Sequence, residues 1–375
     1  MSWSPVTVTD QREEFVRLAS TQAVSLSELC RRFGISRKTG YKWLERWQQQ
    51  GLAGLADRTR RPRHSPGRTP AWQEDRVLAV RSRHPAWGAR KIAHVLGRDQ
   101  QLELAPSTVN AILRRHGCIS PAASQAAVPW ERFEHEAPND LWQMDFKGHF
   151  ATDQSRCHPL TVLDDHSRYS LVLQALGQER FEPVQACLQA AFERYGLPGC
   201  INTDNGPPWR AAGQPAITRL GLWLIRLGVT LSHSRPRHPQ TNGKDERFHR
   251  TLKAEVLGTR RFRSLAHVQQ HFDQWRRLYN HERPHQALGL HTPAQRYRSS
   301  TRPMPSVLPP IEYAPDDLVR KVQSGGWIHL HGRRIRLYEG LRGLPVALRP
   351  QPGQDGVFDL YYCHQRIASI DLTLD

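Results

Sequence analysis

Three acids stand out by where they sit in the chain. Asp145 interrupts the apolar run Leu141-Trp142-Gln143-Met144-Asp145-Phe146, and an acid inside a buried strand is costly unless something neutralises it. Asp204 closes the run Gly199-Cys200-Ile201-Asn202-Thr203 just before Asn205-Gly206. That is the carboxyl end of a strand, where open α/β sheets gather their ligands. Glu246 lies near the start of a helix read from about Asn242, and His249, Arg250 and Lys253 share its face. An acid beside basic and polar side chains on one helix face suits a cation held against a phosphate backbone. Carboxylate oxygens are the donors that Mg²⁺ prefers. Asp245, next to Glu246, is the rival for that place.

The elements that must position these acids follow from the pattern around them. Strands are predicted over 141–150, 158–165 and 170–176, a long helix over 180–195, a short strand over 199–203, and helices near 215–227 and 242–257. Three consecutive strands followed by alternating helix and strand indicate a mixed α/β sheet with helices packed on it. Asp164 and Asp165 are neighbours at the end of the second strand, so their side chains face opposite sides. Asp164 and Arg168 read as structural, a turn-fixing acid and an internal partner. Arg247 reads as a salt-bridge partner inside the domain.

Ahead of this region the chain reads as all-α. Residues 10–56 form a first helix-turn-helix domain, in which Leu29, Phe33, Ile35, Tyr41 and Leu44 pack the helices, Gly34 makes the turn and Ser36 caps the second helix. That helix presents Arg37, Lys38 and Lys42 outward, as a recognition helix would. A basic linker, 57–71, carries Arg58, Arg60, Arg61 and Arg63, which could follow a DNA backbone or minor groove. A second helix-turn-helix domain occupies 72–117, with Pro106 and Ser107 starting its last helix. An Ala-, Pro- and Ser-rich linker, 118–138, leads into the α/β domain at 139–298. Beyond a further linker at 299–312, glycines punctuate short strands across 313–375, predicting a small β-barrel.

Net charge is +18. Residues 1–128 hold 21 Lys/Arg against 10 Asp/Glu (+11), residues 129–312 hold 24 against 18 (+6), and residues 313–375 hold 8 against 7 (+1). Such an excess concentrates a polyanion at the surface, without choosing among DNA, RNA and anionic lipid. No secretory leader and no apolar run of membrane-spanning length is present, so a cytoplasmic protein is expected. The six cysteines are scattered with no CxxC pair, which argues against a zinc knuckle or a disulfide framework.

The blocks Leu141-Trp142-Gln143-Met144-Asp145, Leu163-Asp164-Asp165-His166-Ser167-Arg168 and Thr203-Asp204-Asn205-Gly206 occur in that order. They are followed by His238-Pro239-Gln240-Thr241-Asn242-Gly243-Lys244-Asp245-Glu246-Arg247-Phe248-His249-Arg250-Thr251-Leu252-Lys253, then Trp275 to Tyr279-Asn280, Arg283-Pro284-His285 and Leu288. Together they resemble the DDE-type bacterial insertion-sequence transposases whose catalytic core is of the retroviral integrase kind. The resemblance implies an RNase H-like α/β core with Asp145, Asp204 and Glu246 as catalytic, metal-binding acids. It favours Glu246 over Asp245, because the family's acid stands three residues after the glycine and immediately before Arg. It further implies Mg²⁺, with Mn²⁺ able to substitute and two ions per site, and Lys244, His249, Arg250 and Lys253 near DNA phosphates. The expected partners are double-stranded DNA, as element ends and as target, and other copies of the chain in at least a dimer. The expected reaction is 3′-end cleavage and strand transfer. A DNA-binding regulator that has lost catalysis, and a nuclease that cuts without joining, remain the alternatives. Two departures stand: 41 residues separate Asp204 from Glu246, more than the family's usual spacing, and helix-turn-helix modules replace the integrases' zinc-binding front domain.

Overall fold

The computed structural model describes residues 7–58, 67–119, 134–204, 209, 217–233 and 243–373 of the 375-residue chain. The chain divides into two compact units, Met1–Arg68 and Thr69–Asp375.

The first unit is three helices, α1 (Val8–Ser20), α2 (Leu26–Arg32) and α3 (Arg37–Gln50). Each begins where a hydroxyl satisfies a free backbone N–H: Thr7, Ser25 and Ser36 accept from the residues three further on. Gly34, at φ +64°, makes the turn between α2 and α3. Phe15, Val16, Leu29, Cys30, Trp43 and Leu55 form the core, with Phe33, Ile35 and Leu44 packed on it. Gly40 belongs to this inner face by necessity, since a Cβ there would stand 2.6 Å from Cys30 Sγ. Tyr41, expected inside, is instead exposed beside Arg37, Lys38 and Lys42, because Gly40 and Trp43 take the inward positions of that turn.

The second unit opens with α4 (Ala71–Arg83), α5 (Ala89–Gln100) and α6 (Pro106–Arg115), packed around Val77, Val80, Trp87, Ile92, Leu96, Val109 and Ile112. Pro106 stands at the first position of α6, where its missing N–H costs nothing. Arg115 and His116 close the bundle on the buried Glu74.

The sheet that follows has β1 (Leu141–Phe146), β2 (Phe150–Ala151), β3 (Arg156–Asp164), β4 (Ser170–Leu176), β5 (Cys200–Thr203) and β6 (Thr230–His233). β3 runs antiparallel to β1, β2 and β4, whereas β1, β5 and β6 are parallel. Side-chain alternation sorts the residues into two layers. Trp142, Met144, Leu160, Val162 and Ile201 face α7 (Phe181–Tyr195) and α8 (Arg219–Arg226), through Val184, Leu188, Phe192, Leu220 and Leu224. Cys157, Leu163, Leu173 and Ala175 face α9 (Gly243–Glu255) and α10 (Leu265–His281), through Phe248, Leu252, Phe272, Trp275 and Tyr279.

The C-terminal strands do not close into the expected barrel. β7 (Leu318–Lys321), β10 (Pro345–Pro350), β11 (Val357–Tyr362) and β12 (Gln365–Asp371) form an open sheet in the order β12-β11-β10-β7, and β8 (Trp327–Leu330) pairs with β9 (Arg333–Arg336) in a separate hairpin. Gly325 and Gly326, both at positive φ, turn the chain away between β7 and β8. Closure is unnecessary because other elements cover the apolar face. Ile328 and Leu330 of the hairpin, and Ile217, Leu222 and Ile225 from in and around α8, share one core with Val346, Leu348, Leu360 and Tyr362. Among the described residues, no helix is long and apolar enough to cross a membrane.

Candidate active site

The parallel pairing of β1 and β5 matches Leu141 with Cys200, Trp142 with Ile201 and Gln143 with Asn202. Carried two residues further, this register sets Asp145 level with Asp204 on the neighbouring strand, both on the face that α9 covers. β3 brings Thr161 opposite Asp145 from the other side. The acid-bearing face is thus polar where the opposite face is apolar.

Asp204, Glu179 and Glu246 all act on the charge of Asp145. Burial pushes the Asp145 carboxyl up to about 7, helped by the charge of Asp204 and, more weakly, of Glu179 and Glu246, against a backbone hydrogen bond that lowers it. Asp245 is raised well above the carboxylate range, first by burial and then by Asp145. Helix α9 divides its acids: Asp245 points inward with Phe248 and Leu252, while Glu246, Arg250 and Lys253 are exposed on the outer side. The donor set of carboxylate oxygens, one of them (Asp245 Oδ2) buried and without a hydrogen bond, is the chemistry that a hard divalent cation requires. Among the described residues, no three His, Cys, Asp or Glu side chains are gathered closely enough to hold an ion as they stand.

Other residues singled out by sequence fall in varied places. Lys244 is mostly buried and ion-paired with Asp165, fastening the start of α9 to the β3–β4 turn. His249 is mostly buried too, its Nε2 2.9 Å from Thr161 Oγ1, and desolvation with the charge of Lys147 pushes the imidazole down to about 3. Arg250, Lys253 and Arg247 are exposed. In the first unit Arg37, Lys38 and Lys42 are exposed along α3, and Arg58 donates to Gln50 Oε1 at 3.0 Å. Arg60, Arg61, Arg63, Asn205, Gly206 and the stretch 238–242 lie outside the described residues.

The structural reading of Asp164 agrees with its surroundings. Fully buried, it accepts from Asn139 N at 3.1 Å, Ser167 N at 3.2 Å and Ser167 Oγ at 3.0 Å. Arg168 donates to Glu134 Oε2 at 3.0 Å. Lys147 was not singled out by sequence, yet its charge acts on His249, and Lys253 acts on it in turn. Its signal was its parity, two residues beyond Asp145 on the same face of the chain.

Comparison with known proteins agrees with this layout. Residues 135–239 and 227–293 match the integrase core domain family. Residues 11–63 match a helix-turn-helix domain, 39–113 a homeodomain-like domain, and 317–375 the C-terminal domain of IS481 family transposases. A 39.2 kDa protein of insertion element IS476 from Xanthomonas euvesicatoria is 28% identical over 243 residues, covering 62% of this chain and 67% of that protein. A 31.7 kDa protein of insertion element IS407 from Burkholderia multivorans is 31% identical over 159 residues, covering 42% of this chain and 55% of its own length. The transposase InsD of insertion element IS2 from Escherichia coli is 26% identical over 262 residues, covering 62% and 82% respectively. Among solved structures, a chain of the simian T-cell lymphotropic virus intasome in complex with PP2A regulatory subunit B56 gamma aligns over 80% of this chain and 96% of its own, at 17% identity and a TM-score of 0.39.

Proposed function

We propose that this chain, which belongs to the DDE-type insertion-sequence transposases with an integrase-like core, cuts DNA at its element's ends and joins those ends to target DNA. Asp145, Asp204 and Glu246 carry the reaction. The observation that supports this most is the register that sets Asp145 level with Asp204 on neighbouring strands, where burial first, and then the charges of Asp204 and more weakly Glu246, push the Asp145 carboxyl up to about 7.

The chemistry is an exchange of phosphodiesters. Water attacks the phosphorus at the element end, its proton is lost to solvent, and the P–O3′ bond breaks to leave a 3′-hydroxyl. That hydroxyl then attacks a target phosphorus, and the target's own 3′-oxygen leaves. One phosphodiester replaces another, so no nucleoside triphosphate is consumed. When bound, a pair of Mg²⁺ ions, or Mn²⁺ in their place, stabilises negative charge on the attacking and leaving oxygens. Asp145, Asp204 and Glu246 would hold them, their carboxylate charges offsetting those of the cations.

The remaining side chains orient DNA. Arg250 and Lys253, exposed one and two turns beyond Glu246, and Lys147 beside them, offer cations to the phosphates flanking the cut. Lys244 and His249 act from within, holding α9 on the sheet. Arg37, Lys38 and Lys42 on α3 bind the terminal repeats, and the arginines at 58, 60, 61 and 63 follow the backbone. Joining two ends at once calls for at least two copies of the chain.

Incubating the full chain with duplexes bearing the element ends, target DNA and Mg²⁺ should yield joined products. Hydrolysed ends without joining would make it a nuclease. Tight end binding with neither product would make it a regulator.

A further inference from the structure

Asp245 has an environment that folding alone does not explain. Its side chain is fully buried on the inner face of α9, among Phe248 and Leu252, where an apolar residue would fit. Its Oδ1 lies 3.3 Å from Thr161 Oγ1, and its Oδ2 has no hydrogen-bond partner. Even the first contact is shared. The single Thr161 hydroxyl proton lies within reach of both Asp145 O, at 3.0 Å, and Asp245 Oδ1. The nearby imidazole gives no relief, because His249 Nε2 is turned to Thr161 Oγ1 at 2.9 Å and stands 4.0 Å from Asp245 Oδ1. A buried acid left so incompletely paired works against folding, and native structures keep such groups chiefly where an ion or a reaction uses them.

Position supplies the use. Thr161 is directly opposite Asp145 across β1 and β3, so the residue that touches Asp245 is the cross-strand neighbour of Asp145. Opposed residues on paired strands have Cβ atoms about 4.5–5.5 Å apart. Asp245 thus stands over the cross-strand neighbour of Asp145, close enough to feel its charge, on the inner face of α9 while Glu246 is on the outer one.

We propose that Asp245 is a fourth carboxylate for the divalent cation held at Asp145, so that consecutive residues of α9 serve the site from its inner and outer sides. This rests on the reading of Asp145 given above. A cation beside Asp145 gains an oxygen donor that is already desolvated, and Asp245 Oδ2 gains the partner that the surrounding side chains do not give it.

The test is Mn²⁺ binding by the full chain without DNA, followed by the electron paramagnetic resonance of free Mn²⁺, with circular dichroism to verify the fold. Asp245→Asn, nearly isosteric, should weaken Mn²⁺ by at least about tenfold, and Asp145→Asn should abolish binding. The thermal midpoint of metal-free Asp245→Asn should be no lower than the parent's, while the midpoint rise caused by Mn²⁺ should shrink. Parental Mn²⁺ affinity in Asp245→Asn, with binding lost in Asp145→Asn, overturns the inference and leaves the role of Asp145 intact. Parental affinity in Asp145→Asn as well places the failure in the proposed function itself. Asp245→Leu provides a second variant of apolar character. If neither substitution folds, Asp245 is a structural residue and the inference is wrong.

Discussion

Two pairs of adjacent or facing carboxylates lie in the same α/β domain and meet opposite fates. Asp164 and Asp165, at the β3–β4 turn, are buried, yet between them they accept from Asn139, Ser167, His135 and Gln143 and pair with Lys244. Asp145, opposite Thr161 on the sheet, and Asp245, above it on α9, have no ion pair to a lysine or arginine among the described contacts; burial pushes both toward the protonated form, as it does Asp164. Burial is common to the two pairs, so it does not mark a reactive acid. Satisfaction does: a fully bonded acid holds a turn, and an under-bonded one is held ready for a ligand.

The sharpest way to break the comparison is to remove the satisfied acid. Asp165→Asn leaves the mostly buried Lys244 without its charge partner and should cost about 3–5 kcal/mol in urea unfolding. Asp145→Asn, measured on metal-free protein in the same way, should cost less than about 1 kcal/mol, since it removes no partner of a paired cation. Equal losses would erase the distinction. A smaller effect is expected at the junction of the two α9 faces. Thr161→Val removes one hydroxyl from Asp145 O, His249 and Asp245, and should cost about 1–2 kcal/mol without changing the far-ultraviolet spectrum.

The smallest signal is a slope with pH. Burial pushes Asp145 up to about 7 in the folded chain, above its value of about 4 when unfolded, so between these values the folded state binds more protons. Metal-free stability should therefore fall as pH rises from about 4 to 7, and Asp145→Asn should flatten that decline. A parent whose metal-free stability rises across the same window in step with the variant would contradict the shift assigned to Asp145.

Local pattern carried much of this domain. The strands around Asp145, Asp164 and Asp204 were legible because apolar runs end abruptly at acids, glycines and turns, and α7 was legible from its period. What escaped was pairing over distance. Lys244 sits in a basic stretch beside Glu246 and read as a phosphate contact, but its partner Asp165 is 79 residues away. His249 shares α9 with exposed bases, yet the cross-sheet hydroxyl of Thr161, 88 residues earlier, draws it inward. Tyr41 read as core because neighbouring apolar residues were, while Gly40 filled the place at the core that Tyr41 was expected to share. The C-terminal strands were visible individually, but nothing in their spacing says that residues near α8 would cover the face a barrel must close over.

The most direct test is single-turnover cleavage of an element-end duplex by Asp145→Asn protein in Mg²⁺. The expected result is parental DNA binding and a parental fold, with cleavage slowed by roughly a thousandfold or more. Cleavage at the parental rate would mean that the repelling acids are not where the chemistry occurs.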